Sequence, residues 1–159
     1  MKILFATTNP AKIKKYKDEL KKNNIDLITI KDLNINISAN AELIADKSTL
    51  AVNVGSGSLE VFATPMMAML MEKAACNALA DYLENDETTV GTELNIKHIS
   101  ATPEGMKVTA TATVTAVNGR EISFKVEASD EAGIIGTGEH KRFVVFGEKF
   151  TEKTKSKLN

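Results

Sequence analysis

An α+β fold, with one long central helix wrapped by an antiparallel sheet, is what this sequence predicts, and three observations predict it. The stretch VFATPMMAMLMEKAAC, residues 61–76, is apolar nearly all round. From residue 87 onward, apolar residues recur at every second position through several consecutive segments. One of these, residues 107–117, carries small side chains on one face, which lets a helix lie close against it. A block with helical period followed by blocks of period two is the pattern of a helix packed on an antiparallel sheet.

The central helix starts at Thr64-Pro65, read as a hydroxyl N-cap followed by proline at the first helical position, and runs to about Leu83. Lys73, Asn77, Asp81 and Glu84 form its polar stripe, the solvent side. Glu72 is off that stripe. Its neighbours at helical spacing are Ala68, Met69, Cys76, Leu79 and Leu83, all apolar. An ionised carboxylate in such a setting takes a partner or a proton, so Glu72 calls for a partner elsewhere in the chain.

The strands follow. In TTVGTELNIKHI one face carries Val90, Thr92, Leu94, Ile96 and His98, and the other Gly91, Glu93, Asn95 and Lys97. In MKVTATATVTAV the alternation sets Val108, Ala110, Ala112, Val114 and Ala116 on one side. Asn118-Gly119 marks a tight hairpin. Ile122, Phe124, Val126 and Ala128 repeat the period, a turn follows at 130–133, and 134–146 form a last strand before a basic, polar tail.

Ahead of this body lies a short arm. KILFAT (residues 2–7) reads as a strand, residues 11–23 as a helix and IDLITI (25–30) as a second strand. The polar stretch 34–40 sets a boundary, giving a β-α-β arm over residues 1–35 and a main domain over 36–159. In the main domain AELIADKSTLAVNV suggests one or two strands, and GSGS a flexible loop.

Gross composition narrows the function classes. The chain of 159 residues is 43% hydrophobic, enough for one domain plus an arm. A formal net charge of −1 gives no global signal for nucleic acid or membrane binding. Cys76, the single cysteine, allows no intramolecular disulfide, which fits the cytoplasm. The apolar N-terminal stretch is too short for a signal peptide, and Val61–Met71 is too short to span a bilayer.

Three residue types then converge. His98 lies on the strand face that meets the helix, Glu72 lies on the helix, and Thr64 opens the same helix. A hydroxyl, a carboxylate and an imidazole together suit acyl transfer or water activation. Each has a plainer reading: Thr64 as an N-cap, His98 as a hydrogen-bonded core histidine, Glu72 as the partner of a lysine at a subunit interface. His140, between Glu139 and Lys141-Arg142, reads as solvated, and Cys76 as an inert core residue. With two histidines and one cysteine, no metal-ligand spacing is visible.

From about Asn40 to Phe150 the chain resembles small hotdog-fold acyl-CoA thioesterases of the fluoroacetyl-CoA thioesterase type, in the stretches VFATPMMAMLMEKAAC, LADYLENDETTVGTELNIKHISATPEGMKVTATATV and NGREISFKVEASDEAGIIGTGEHKRFVV. The resemblance implies a hotdog fold, a homodimer or higher oligomer with its site between subunits, and Thr64, Glu72 and His98 as catalytic residues. It places Gly91 near the acyl group. His98 would be the general base, Thr64 a nucleophile or water-positioning hydroxyl, and Glu72 would orient His98 or help activate the attacking group. A backbone N–H at the helix start would polarise the thioester carbonyl. Pro65 has none, so the donor is Met66 or another segment. No metal or redox cofactor is implied, and coenzyme A enters as part of the substrate. The chain departs from the fluoroacetyl-specific enzyme in carrying VNVGSGSLE where that enzyme has an aromatic lid, and in Pro65 where it has glycine.

The arm resembles the start of the purine nucleoside triphosphate pyrophosphatases, in which a loop grips the triphosphate. The matching residues are Thr7, Asn9 and Lys12, but that family's acidic magnesium-binding part never follows. The expected function is hydrolysis of a small acyl-CoA thioester to the free acid and CoA. The alternatives are a non-catalytic acyl-CoA binding module and a nucleotide-binding protein that uses the arm.

Overall fold

The structure, a computed structural model, describes residues 2–5, 10–23, 26–29, 37–83 and 86–158. In the arm, β1 (Lys2–Phe5) and β2 (Asp26–Thr29) pair in parallel, with helix α1 (Pro10–Lys21) between them in sequence. Thr7, Asn9 and the side chain of Lys12, the phosphate-loop candidates, lie outside the described residues.

The main body is a five-stranded, wholly antiparallel sheet. Its strands are β3 (Ser38–Ile44), β4 (Glu87–His98), β5 (Lys107–Asn118), β6 (Glu121–Ser129) and β7 (Ile134–Phe146), in the spatial order β3-β5-β6-β7-β4. The central helix α3 (Thr64–Leu79), extended by a 3₁₀ turn at Ala80–Tyr82, packs mainly over β3 and β5. No described helix is long and apolar enough to cross a membrane.

The core follows from two periodicities. Along α3, Met67, Leu70, Met71, Ala74, Ala75 and Ala78 are buried, a stripe at helical spacing. Along β5 and β6, Val108, Ala110 and Ala112, and Ile122, Phe124, Val126 and Ala128, are buried at every second position. Alanine meets alanine where helix and sheet cross, so the two backbones approach closely. Glycines on β7 serve the same end. A Cβ on Gly136 would lie 2.5 Å from the Met67 Sδ, so the thioether occupies the space that glycine leaves.

Two local expectations are corrected, and the tail gains an element. Residues 47–54 are not strand. Asp46 accepts from the Ser48 N–H at 2.9 Å while its own N–H donates to the Thr49 hydroxyl at 2.9 Å. This reciprocal cap turns the chain into a 3₁₀ turn (Lys47–Thr49) and the short helix α2 (Ala51–Val54), which Gly55 ends at φ 75°. The β5–β6 hairpin turns one residue later than expected: Asn118 pairs with Glu121, so Gly119 (φ 64°) and Arg120 form the turn. The polar tail begins as helix α4 (Gly147–Lys155).

The largest correction concerns β4. Gly91 pairs with Arg142, but Glu93 pairs with Lys141 and Leu94 with His140, so Thr92 is an extra residue in the strand. Such a bulge reverses the side-chain alternation. The face towards the helix is therefore Thr89 and Gly91 before the bulge, then Leu94, Ile96 and His98 after it, in place of the unbroken series from Val90.

Gly138 on β7 is opposite Ile96, and a Cβ there would run into the Asn95 carbonyl oxygen and lie 2.8 Å from the Ile96 Cα. Both obstacles are backbone and cannot step aside. Gly138→Ala should cost about 1–3 kcal/mol, the usual penalty of overpacking, measured as a lowered denaturation midpoint. An unchanged midpoint would show that β4 and β7 part without cost.

Candidate active site

The start of α3 is clamped before the helix begins. The Phe62 N–H donates to the Thr102 carbonyl at 2.8 Å, and the Ala63 N–H donates to the Thr49 carbonyl at 2.9 Å. Ala63, in extended conformation, is the N-cap and makes no side-chain cap bond. Thr64 is therefore the first residue of the helix, not its cap. Freed from capping, its hydroxyl points to the sheet, and Oγ1 lies 2.8 Å from the His98 Nδ1.

His98 ends β4, and the chain beyond it is tied down. The Ile99 N–H donates to the Ile135 carbonyl at 2.7 Å, and the fully buried Thr102 donates through its hydroxyl to Asp130 Oδ2 at 2.8 Å. The Asp130 Oδ1 accepts from the N–H groups of Ala132 and Gly133. His98 pairs across the sheet with Gly136, over the Met67 thioether. Its Nε2 is buried with no hydrogen-bond partner among the described residues. With the proton on Nε2, Nδ1 accepts from the Thr64 hydroxyl and is placed to take its proton.

Glu72 is not the partner of His98 within one chain. Its side chain is 44% exposed, and its Oε1 lies 3.8 Å from the Nε2 of His140. Gly91 makes room for it, since a Cβ there would be 2.6 Å from Glu72 Oε1 and 3.3 Å from His140 Cε1. Met69 is 41% exposed, and Cys76 is exposed too, not a core residue. The face of α3 that carries Glu72 is thus open in the single chain.

His140 is the residue of this candidate site that the sequence does not single out. Far from being solvated, it is 1% exposed. Its ring stacks on Phe124 at 6.0 Å, and its Nδ1 lies 2.7 Å from the Glu93 carbonyl oxygen. A carbonyl only accepts, so Nδ1 carries the proton. Nε2 then accepts from Arg142 Nη1 at 3.1 Å. The buried guanidinium also donates from Nε to the Thr89 hydroxyl at 2.8 Å and from Nη2 to the Thr89 carbonyl at 2.9 Å. Burial above all, and the Arg142 charge, hold the pKa of His140 below the usual histidine value, against the Glu93 bond and the Glu72 charge. The signal that could have found it is the order of β7: His140 and Arg142 fall two apart on the face that carries Gly136 and Gly138.

Met66 does not supply the carbonyl-polarising N–H, because that group donates to the Ala63 carbonyl at 3.0 Å. The N–H of Thr64, at the first position of the helix, has no intrahelical acceptor. No group of three or more His, Cys, Asp and Glu is arranged to hold a metal ion among the described residues.

A curled antiparallel sheet around one helix, with a hydroxyl-imidazole pair where the helix enters, defines a hotdog-fold thioester hydrolase. The comparisons agree. The family model for the fluoroacetyl-CoA-specific thioesterase FlK matches residues 44–148. The fluoroacetyl-CoA thioesterase of Streptantibioticus cattleyicolor is 46% identical over 98 residues, 62% of this chain and 70% of that protein. A solved structure of a variant of the fluoroacetyl-CoA-specific thioesterase FlK, in complex with fluoroacetate and CoA, matches at TM-score 0.71 and 36% identity, covering 76% of this chain and 98% of the other. A hot-dog-like protein from Thermanaerovibrio acidaminovorans shares the fold at TM-score 0.71 and 21% identity, over 79% of this chain and 93% of its own. The chain belongs to the fluoroacetyl-CoA thioesterase family and is an acyl-CoA thioesterase.

Two outcomes are expected. Gly91→Ala pushes against the movable end of Glu72, not against backbone. It should leave the melting temperature nearly unchanged yet lower kcat on the order of 10²-fold, the cost of misplacing a reacting group by about 1 Å; equal turnover in variant and wild type would remove Glu72 from the chemistry. The second concerns pH. A histidine whose folded pKa is lowered binds its proton more readily unfolded, so stability is full above the ordinary value of 6.5 and declines as pH falls from there towards the lowered value. Asp130, Glu42 and Asp46, whose pKa values are lowered from 3.8, 4.5 and 3.8, begin to lose their stabilising charge only in more acid solution. Denaturation midpoints should therefore fall between about pH 7 and pH 5, and less so in His140→Gln. A flat profile over that window would contradict the buried neutral imidazole.

Proposed function

We propose that this chain hydrolyses a small acyl-CoA thioester through an acyl-enzyme on Thr64. The observation that carries the reading is the 2.8 Å contact between Thr64 Oγ1 and His98 Nδ1. His98 takes the hydroxyl proton as Thr64 attacks the thioester carbonyl. The C–S bond breaks, and the proton passes from His98 to the departing CoA thiolate. Glu72 of the partner subunit, facing the site across the dimer interface, then takes a proton from a water that attacks the Thr64 ester. The ester C–O bond breaks, that proton passes to the departing Thr64 oxygen, the free acid leaves, and the hydroxyl is restored. The Thr64 N–H at the helix N-terminus is the oxyanion donor, and Gly91 keeps the acyl side of the site open. No metal or redox group is needed in this scheme, since coenzyme A arrives as substrate.

The working unit is a homodimer in this reading, and the cytoplasm its location. The open, partly apolar face of α3 at Met69, Glu72 and Cys76 supports the dimer. The acyl group is small, and fluoroacetyl is not singled out. Residues 52–60 are all exposed and include no aromatic side chain to close over the acyl group. The division into a 1–35 arm and a 36–159 catalytic domain is part of the proposal, because none of the proposed groups lies in the arm. A truncated protein lacking residues 1–35 should keep its turnover; a well-folded but inactive truncation would give the arm a part in the site.

A panel of short acyl-CoA thioesters, with inosine triphosphate alongside, tests the function and both alternatives. Thioester turnover without triphosphate hydrolysis is expected, whereas binding without turnover would make the protein a carrier. His98→Ala should lower kcat by roughly 10²–10⁴-fold, and Thr64→Ala with His98→Ala should be hardly slower than the worse single change, because the two act as a unit. Glu72→Gln should let the acyl group accumulate on Thr64, seen by intact-mass spectrometry. An active Thr64→Ala would return the hydroxyl to positioning water.

A further inference from the structure

Glu72 poses a problem that the proposed chemistry leaves open. A carboxylate meant to activate water should have its lone pairs free, yet the nearest side chain is a histidine, the partner most apt to bind it. The two are 3.8 Å apart, too far for a hydrogen bond, and no described residue donates one to Glu72. Something holds the imidazole back.

That agent is Arg142. The imidazole has two nitrogens, and both are occupied from within the sheet. Nδ1–H donates to the Glu93 carbonyl at 2.7 Å, and Nε2, the nitrogen nearest Glu72, accepts from Arg142 Nη1 at 3.1 Å. The guanidinium cannot drift away, since the Thr89 hydroxyl and carbonyl fix its other side at 2.8 and 2.9 Å. No carboxylate of the described residues reaches ion-pairing distance of it, so the imidazole, not an acid, takes its Nη1 proton. If His140 were protonated at Nε2, two donors would meet head-on at that same 3.1 Å.

We propose that Arg142 and His140 are positioning residues for Glu72: by occupying the imidazole Nε2, the guanidinium keeps His140 from donating to the carboxylate, which stays unbonded for the reaction. The inference rests on the role given to Glu72 above. The charged groups around the ring fit it. Glu72 faces it from the central helix and Arg142 from its own strand. The carboxylate of Glu93, on β4, is turned outward to Lys141 Nζ at 2.7 Å, while β6 presents the uncharged Phe124. Loss of the Arg142 donor would free Nε2 to take a proton and bind Glu72.

Two measurements test this, and they fail separately from the thioesterase reading. With only two histidines in the chain, His98→Gln leaves a single imidazole. Its ¹⁵N spectrum should show one neutral ring protonated at Nδ1 from about pH 8 down to about pH 5.5, where a histidine of ordinary acidity is about nine-tenths protonated. A ring that titrates in that range, or one protonated at Nε2, overturns the proposal whether or not any thioester is hydrolysed. The second is the pH profile of Arg142→Met, which removes the donor but fills the space. The ratio of its kcat/KM to that of the wild type should fall about tenfold between about pH 8 and pH 5.5, as His140 gains its proton and captures Glu72, while KM changes little. A ratio independent of pH would mean that Arg142 only supports the fold. If Arg142→Met does not fold, the imidazole spectrum decides alone.

Discussion

The closeness with which the central helix lies on the sheet sets everything else. Ala74, Ala75 and Ala78 on the helix and Ala110 and Ala112 on β5 put little bulk between the layers, and glycines at 91 and 136 leave room for the longer side chains of Glu72 and Met67. A wider gap would keep the fold but separate its reactive groups. Thr64 touches His98 because the helix enters low over the end of β4. Glu72 comes up beside the His140 ring only because Gly91 has no Cβ to meet it. The close packing that stabilises the body is also what assembles the site.

Much of this was legible in the residues, for identifiable reasons. Helix and strand periods announced α3 and β4–β7, since a buried face repeats with the geometry of its element. Thr64, His98 and Glu72 stand out in the sequence as reactive groups beside apolar neighbours. Their pairing does not. Period alone cannot show an extra residue within a strand, and Thr92 shifts the phase of everything before it. Nor could local charge density reveal His140. Between Glu139 and Lys141 it looks solvated, yet strand alternation turns those neighbours outward and His140 inward. The capping box at Asp46–Thr49 is spelled out in the sequence, but the apolar residues on either side of it carry a strand-like pattern.

The charge arrangement around the ring follows from burial without a counterion. A guanidinium taken out of water normally demands a carboxylate. Arg142 has instead a hydroxyl, a carbonyl and an imidazole. Neutral acceptors orient a cation without cancelling it, so its field still extends towards the helix. The carboxylate that feels it is exposed and ungripped.

The extra residue at Thr92 has a further meaning for how such a protein changes over time. It divides one strand into two stretches whose side-chain phases are set independently. Before it come Thr89, which anchors Arg142, and Gly91, which makes room for Glu72; after it comes His98, which bonds to Thr64. A strand without a break carries one phase, and any shift in it moves every residue together. Here, the part that houses Glu72 and Arg142 and the part that holds the Thr64–His98 pair are separately adjustable, so a change on one side of Thr92 can leave the other side where it is.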